Sequence, residues 1–285
     1  DMELWFTEKQ TPGLGISCKV LQTLHRELTP FQEIAVIDTE QYGRMLVLDG
    51  MVQLTIGDEF VYHEMLAHVP LHTHPDPRNI LVIGGGDGGT AREVLRHPQV
   101  ERVTLVEIDR RVVEVSREFL PEVSCAFDDP RLEVRFEDGV AYLQQKRDEY
   151  DVILVDSPEP IGQAGRLFSG DFYRSIRDAL RSEGLFSAQT ESPFVNQELI
   201  TRVYHEISSI FPITRLYLAP VPTYPSGMWS FTIGSKCYDP MLSPRESGLT
   251  EQLRYYNTGV HQAAFQLPNF VQQFILQGGT LCEKR

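Results

Sequence analysis

Residues 79–95 (NILVIGGGDGGTAREVL) limit the choice of fold more than any other stretch. Residues 80–83 form a short, wholly apolar run, the pattern of a strand buried on both faces of a sheet. Gly84, Gly85, Gly86, Gly88 and Gly89 follow at once, and from Thr90 the chain reads as a helix with Ala91, Val94 and Leu95 on one side. Gly84, Gly86 and Gly89 fit the G-x-G-x-x-G spacing of a nucleotide site. Glycine permits the tight turn and lets a ligand approach the main chain, and the helix start offers free N–H groups. Alone, such a turn could be a mere connection. Here the next apolar run, 103–106, ends in Glu107, near the distance past the glycines at which a carboxylate takes ribose hydroxyls. The stretch therefore predicts a site for an adenosine-containing molecule.

Asp87 indicates which kind. A carboxylate in the glycine turn repels a pyrophosphate, at a cost on the order of 1–4 kcal/mol at 4 Å, and attracts a cation. S-adenosylmethionine and its relatives carry a sulfonium and an amine and no phosphate, so the turn favours a sulfonium nucleoside over NAD. Asp87 also suits a helix N-cap, and the two roles are compatible.

The rest of the chain fits an α/β protein. Its 285 residues suffice for one large domain or one domain plus a smaller one. No apolar run is long enough to cross a membrane. The N-terminus lacks a basic, apolar leader pattern, and Asp1 before Met2 reads as an extra residue ahead of the natural start. Cys18, Cys125, Cys237 and Cys282 stand far apart, as for free thiols in a reducing cytoplasm. The formal net charge of −14 argues against nucleic acid as a partner.

Residues 3 to about 60 read as β. Segments 16–24 and 32–38 alternate in part, and Asp49-Gly50 between two apolar arms marks a tight hairpin. This predicts a small antiparallel sheet, residues 1–62, whose edges and apolar face could be covered by another subunit. Residues 58–70 read as a helix, with Phe60, Met65, Leu66 and Val69 as its buried face. His63, His68, His72 and His74 are close in sequence, but no second His or Cys cluster completes a metal site, so none is assigned.

From residue 80 strands and helices alternate: strands at 80–83, 103–107, 132–136 and 151–155, helices at 90–96, 110–119 and 139–147. Such alternation implies parallel strands with right-handed crossovers, here in a Rossmann-like, methyltransferase-type open sheet over 63–285. Further elements are expected at 172–180, 184–188, 197–210, 214–218 and 228–233, with a strand and a short helix within 255–277. In an open parallel sheet the ligand lies beyond the C-terminal strand ends. Four successive ends offer Asp87, then Glu107, then Glu137-Asp138-Gly139, then Asp156 with Ser157 and Glu159. Glu107 would hold the ribose, Asp138 and the Gly139 backbone the adenine edge, and Asp156 and Glu159 would face the reacting group. So many carboxylates suggest a substrate carrying amines.

These residues bring a family into view. LDGMVQ (48–53), DEFVYHEMLAHVPL (58–71), VIGGGDGGTAREVLRHP (82–98), VEIDRRV (106–112), FEDG (136–139), YDVILVDSPEPIG (150–162) and PTYPSGMWSFTIGSK (222–236) closely resemble the spermidine synthases, the polyamine aminopropyltransferases. The resemblance covers nearly the whole chain. It implies a homodimer or higher homo-oligomer and a cytoplasmic enzyme without a tightly bound cofactor. Decarboxylated S-adenosylmethionine would be the co-substrate, putrescine or a related amine the acceptor, and methylthioadenosine the leaving product. By motif, Gln32, Gly84, Gly86, Glu107, Asp138, Gly139 and Gln163 would contact the nucleoside. His63, Asp87 and Glu159 would bind the aminopropyl or polyamine chain, Asp156 would accept the proton, Tyr62 and Tyr224 match aromatic positions of the family's active-site wall, and Tyr62 or Ser157 would orient the amine. The family loop commonly reads D-S-T-D-P or D-S-T-E-P, often followed by V-G-P-A; here Pro158 stands in place of the Thr, Glu159 takes the acidic position with one more methylene than Asp, and Ile161-Gly162-Gln163-Ala164 follows. A methyltransferase, a NAD-dependent oxidoreductase and a non-catalytic polyamine-binding protein are the rival readings.

Overall fold

The computed structural model describes residues 2–160, 162–242 and 244–277, apart from the side chain of Gln163. An N-terminal sheet is built from β1 (Leu4–Thr11), β2 (Leu14–Leu28), β3 (Glu33–Thr39), β4 (Gly43–Leu48) and β5 (Met51–Thr55), paired in that order, each antiparallel to the last. The turn between β4 and β5 has φ of +50° at Asp49 and +78° at Gly50, the left-handed pair a two-residue hairpin requires.

Helix α1 (Glu59–Thr73) leads into the second unit. Residues 62 and 63, between which the sequence reading divides the chain, both lie in its first half. The expected single buried face is too narrow: nearly every residue of α1 is buried, from Glu59 to His72. The helix also runs past Pro70, the expected end, to Thr73. Asp58 precedes it but does not cap it; its carboxylate accepts from Thr55 Oγ1 and from the backbone and hydroxyl of Thr223. The two Thr223 bonds tie the helix start to residue 223, 165 positions further along the chain.

The alternating elements follow: β6 (Asn79–Gly84), α2 (Gly89–Val94), β7 (Arg102–Glu107), α3 (Arg110–Phe119), α4 (Pro121–Ser124), β8 (Leu132–Phe136), α5 (Gly139–Gln144), β9 (Tyr150–Asp156), a 3₁₀ segment (Gly162–Phe168), α6 (Gly170–Ala179), β10 (Leu180–Gln189), α7 (Gln197–Ile210), β11 (Ile213–Pro220) and β12 (Met228–Ser235). They form one seven-stranded sheet in the order β11-β12-β10-β9-β6-β7-β8. The five strands from β10 to β8 are parallel, and β12 inserts antiparallel between β10 and β11. Between β11 and β12 the connection is a short turn over residues 221–227, too short for a parallel crossover. The tail reading is corrected: residues 255–277 contain two helices, α8 (Thr258–Ala264) and α9 (Asn269–Gln277), and no strand among the described residues. Asn257 accepts from Val260 N and starts α8, a capping cue that the apolar count overlooks.

One apolar core lies between α1, α2 and one face of the sheet, and another lies on the opposite face under α6 and α7. A third joins the N-terminal sheet (Ile34, Leu46, Leu54) to α3 and α4 (Val112, Val115, Val123). This packing sets the β4–β5 hairpin over the C-terminal ends of the parallel strands.

Candidate active site

The glycine turn makes room for acids. Gly84 sits opposite Asp156 in the β6–β9 ladder with φ of +78°, and a Cβ there would lie 2.1 Å from the Asp156 carbonyl oxygen. Gly86 N donates to Glu107 Oε2 at 3.2 Å, and a Cβ on Gly86 would lie 2.8 Å from that oxygen. Glu107 Oε1 accepts from Asp109 N at 3.0 Å. Burial pushes the Glu107 carboxyl up to about 7, against these two backbone N–H bonds. Asp87 Oδ1 accepts from Gly89 N at 2.8 Å, so it meets the start of α2. Gly88, in the left-handed region, is itself the capping residue.

A cavity of about 820 Å³ opens over these strand ends, roofed by the β4–β5 hairpin. Gln32, Tyr62, His63, Gly84, Gly86, Asp87, Glu107, Asp138, Gly139, Asp156, Ser157, Glu159 and Tyr224 all line it, as the sequence analysis expects. Gln163 is the one expected contact whose side chain lies outside the described residues.

Asp156, at the end of β9, is held by two hydroxyls. Tyr62 Oη donates to Oδ1 at 2.8 Å, and Thr90 Oγ1 donates to Oδ2 at 2.7 Å. Burial, then the charge of Asp87, raise its pKa above the ordinary carboxylate range. Burial alone would raise Asp87 as well, but His63, with Nε2 at 3.3 Å, outweighs it and holds Asp87 low. Two neighbouring carboxylates are thus driven apart, one toward a proton acceptor and one toward a fixed anion. Tyr62, Tyr224 and Trp229 form an edge-to-face aromatic wall, with centroids 5.6 and 4.7 Å apart along the series. Tyr224 Oη donates to the Gln53 carbonyl, which ties this wall to the hairpin.

At the nucleoside end the geometry adds partners. Asp138 Oδ1 accepts from Val140 N and caps α5, while Oδ2 accepts from Arg166 Nη1 at 2.8 Å. Gln32 Nε2 donates to Asp109 Oδ2 at 3.0 Å, beside Thr29 Oγ1 on the same oxygen. Sequence reasoning did not single out Asp109, Arg166 or Thr90.

It also missed the acids at the other end. Glu191 lies in the cavity wall with φ of +74° and receives Gln189 Nε2 at 3.2 Å. Burial, then the charge of Glu159, push it up to about 8. Glu8 lies beneath the hairpin, accepts from Val52 N at 2.7 Å, and is raised to about 7 by burial. The strand-end rule, carried to the fifth parallel strand, β10, would have reached Gln189 and Glu191.

The clustered histidines separate. His63 enters the cavity, and His74 ends α1. His68, His72 and His97 bring ring nitrogens within 4.8 Å of one another, a spacing a cation could use. Each nitrogen already has a partner, however. His68 Nδ1 meets His97 Nε2 at 2.9 Å, His68 Nε2 faces Glu93, His72 bonds the His68 carbonyl and Ser247, and Arg245 stands at His97 Nδ1. Glu64, next to His63 in the chain, lies outside the cavity lining and accepts three backbone N–H groups from Arg254, Tyr255 and Tyr256.

An α/β fold with a glycine turn, a ribose-type carboxylate and an anionic far end defines a transferase acting on a sulfonium nucleoside. Comparison with known proteins agrees. The spermine/spermidine synthase domain matches residues 59–242 and the spermidine synthase tetramerisation domain residues 4–55. The polyamine aminopropyltransferase of Moorella thermoacetica is 57% identical over 272 residues, 95% of this chain and 96% of that one. That of Caldicellulosiruptor saccharolyticus is 54% identical, over 96% of this chain and 99% of its own. Among solved structures, a spermidine synthase in complex with the transition state analogue AdoDATO superposes with a TM-score of 0.92 at 44% identity, covering 95% of this chain and 94% of that one. Spermidine synthase from Thermotoga maritima gives 0.89 at 42%, with the same coverage. The chain belongs to the spermine/spermidine synthase family and is a polyamine aminopropyltransferase. Its donor, decarboxylated S-adenosylmethionine, is a co-substrate and not a resident group.

Proposed function

We propose that the acceptor is putrescine or a closely related diamine, that Asp156 is the general base, and that the cavity divides into three regions. Glu107, Gln32 and Asp138 take the nucleoside. Asp87 and His63 take the donor's aminopropyl ammonium. Glu159, with Glu191 and Gln189 behind it, takes the acceptor's distal ammonium. The observation that carries this reading is that five carboxylates, Glu107, Asp87, Asp156, Glu159 and Glu191, line one cavity.

The chemistry is a direct displacement. The lone pair of a primary amine attacks the methylene beside the sulfonium, the C–S bond breaks toward sulfur, and neutral methylthioadenosine leaves. The attacking nitrogen must first lose the proton it carries as a primary ammonium, since only then has it a lone pair to give; the product nitrogen forms as a secondary ammonium. An amine of ordinary pKa, about 10.4, costs roughly 4.6 kcal/mol to hold neutral at pH 7. Asp156 has a raised pKa and two oxygens already fixed by Tyr62 and Thr90, which suits it to receive that proton and to aim the nitrogen.

The N-terminal sheet supports assembly. Leu4, Trp5, Leu14 and Leu21 on β1 and β2 are exposed, large apolar side chains of the kind a second copy covers. We therefore propose a homo-oligomer joined through this sheet, a dimer at least.

A competition assay tests the acceptor. With equal putrescine, agmatine, cadaverine and spermidine, spermidine should dominate the products. Preferential use of spermidine or agmatine as acceptor overturns the assignment of putrescine. The base is tested by Asp156→Asn, which should lower turnover at least ~100-fold, the lower end of general-base effects; near-normal turnover removes Asp156 from that role.

A further inference from the structure

We propose that Glu59 is a positioning residue for the donor amine, acting through His63 to fix the Asp87 carboxylate in the cavity wall. The proposal rests on the reading of Asp87 given above and adds to it a second layer of residues behind the wall. His63 bridges two acids. Its Nδ1 lies 2.5 Å from Glu59 Oε2, and its Nε2 lies 3.3 Å from Asp87 Oδ1. All three side chains are buried. Glu59 is itself held from outside: Arg92 Nη1 and Nη2 donate to its two oxygens at 3.0 and 2.8 Å, and Arg92 Nε donates to Glu93 at 3.1 Å.

The ring lies directly against the start of α2. A Cβ on Gly89 would lie 2.2 Å from His63 Cε1, so the first residue of α2 is a glycine where the imidazole lies against it. The same Gly89 donates its N–H to Asp87 Oδ1. Asp87 is thus tied at one oxygen by a backbone N–H and an imidazole, and its Oδ2 has no hydrogen bond among the described residues. A carboxylate fixed in this way presents one free oxygen in one direction, which is what orients a primary ammonium.

The charges decide what Glu59 contributes. Glu59 and Tyr62 on α1, Asp87 on the glycine turn, Asp156 on β9 and Arg92 behind Glu59 are the groups around the His63 ring. Burial by itself would depress His63; Asp87 and Glu59 outweigh it and push it up to about 10, so the ring is an imidazolium at neutral pH. Remove Glu59 and Arg92 keeps only Glu93 as its anion, behind a ring left with one anion of its own. A ring that then loses its proton leaves Asp87 facing Asp156 in a dry site, where two such carboxylates share a proton. The donor's ammonium would meet a weaker and less directed anion.

The test is Glu59→Gln in the full chain, read by steady-state kinetics and by calorimetric binding of methylthioadenosine, which keeps the nucleoside and sulfur but lacks the aminopropyl ammonium. The expected result is a donor KM raised about tenfold or more, the size of one lost charge-assisted hydrogen bond. Methylthioadenosine affinity should stay within about twofold, and the acid limb of kcat/KM should move up by about one pH unit. Glu59→Asp, which keeps the charge, should recover part of the loss and serves if the Gln variant does not fold. An unchanged donor KM and acid limb overturn the proposal, as does a parallel loss of methylthioadenosine binding, which marks a merely structural role. Asp87→Asn separates the two layers. If it raises the donor KM and Glu59→Gln does not, this inference alone fails; if it leaves the donor KM unchanged, the reading of Asp87 fails with it.

Discussion

Asp87 and Asp156 lie side by side, yet their surroundings prepare them for opposite duties. His63 keeps Asp87 ionised, so it stays anionic across the working range, while burial and that neighbouring charge raise Asp156. The difference bears on donor choice. Ordinary S-adenosylmethionine has a carboxylate where the decarboxylated donor has hydrogen, and a carboxylate beside Asp87 is repelled. Asp87→Asn is therefore expected to narrow the preference between the two donors. A binding titration checks this, and unchanged relative affinities would refute it. In the proposed base role Asp156 must be ionised to accept a proton, and its pKa is raised. The wild-type rate should accordingly fall as pH drops below neutral, well above the usual carboxylate range, and a log kcat/KM profile flat down to pH 5 would count against it. At the other end, Glu191 is raised to about 8 and so is largely protonated in the free enzyme at pH 7. An ammonium arriving there should expel that proton. Calorimetry in buffers of different ionisation enthalpy should show proton release on acceptor binding, and Glu191→Gln should abolish most of it.

At the level of elements, three pieces make the site: the β6–α2 turn, helix α1 and the β4–β5 hairpin. The turn is intolerant because backbone meets backbone. Gly84→Ala puts a methyl 2.1 Å from the Asp156 carbonyl at a φ of +78°. Strain and overpacking together should cost at least about 2 kcal/mol. Thermal unfolding measures this, and a wild-type midpoint would show that the two strands can separate freely at that point. Helix α1 carries Glu59, Tyr62 and His63 on one side and Glu64 and His68 on others, so its polar residues are spent on different neighbours. Residues 62 and 63 share this helix, and the two family matches end at 55 and begin at 59, on either side of residues 56–58. The hairpin was legible from Asp49-Gly50 alone, since φ is positive at both positions and that dipeptide tolerates it. Its service as the roof of the cavity was not, because nothing local records what a hairpin will cover.

Across the whole molecule, buried titratable groups pull stability in two directions. His72 is lowered by burial to about 3, and His97 and His261 are lowered for the same first reason. Their folded values lie below the unfolded one near 6.5, so the unfolded chain binds more protons and stability rises as pH climbs toward that value. Glu8, Glu107 and Glu191 behave in the opposite sense: raised to about 7, 7 and 8, they bind more protons when folded, and stability falls as pH passes from about 5 to 8. The unliganded protein should therefore be most stable near pH 6. Bound donor and polyamine should move that maximum upward, because they favour the ionised carboxylates. A midpoint that climbs steadily from pH 6 to 9 without ligand would contradict this balance.

Sequence alone was enough for whatever is written in neighbouring residues. Apolar runs of strand length, glycines where the backbone must turn, acids at four strand ends and a hairpin dipeptide all act within a few positions, and each survived folding. The tertiary structure decided what depends on chain closure. Arg166 reaches Asp138 across 28 positions, Tyr62 reaches Asp156 across 94, and Glu64 holds the backbone of Tyr255 across 191. The antiparallel placement of β12 and the all-round burial of α1 have the same origin. Contacts of this range follow from how whole layers pack, and no local spacing encodes them.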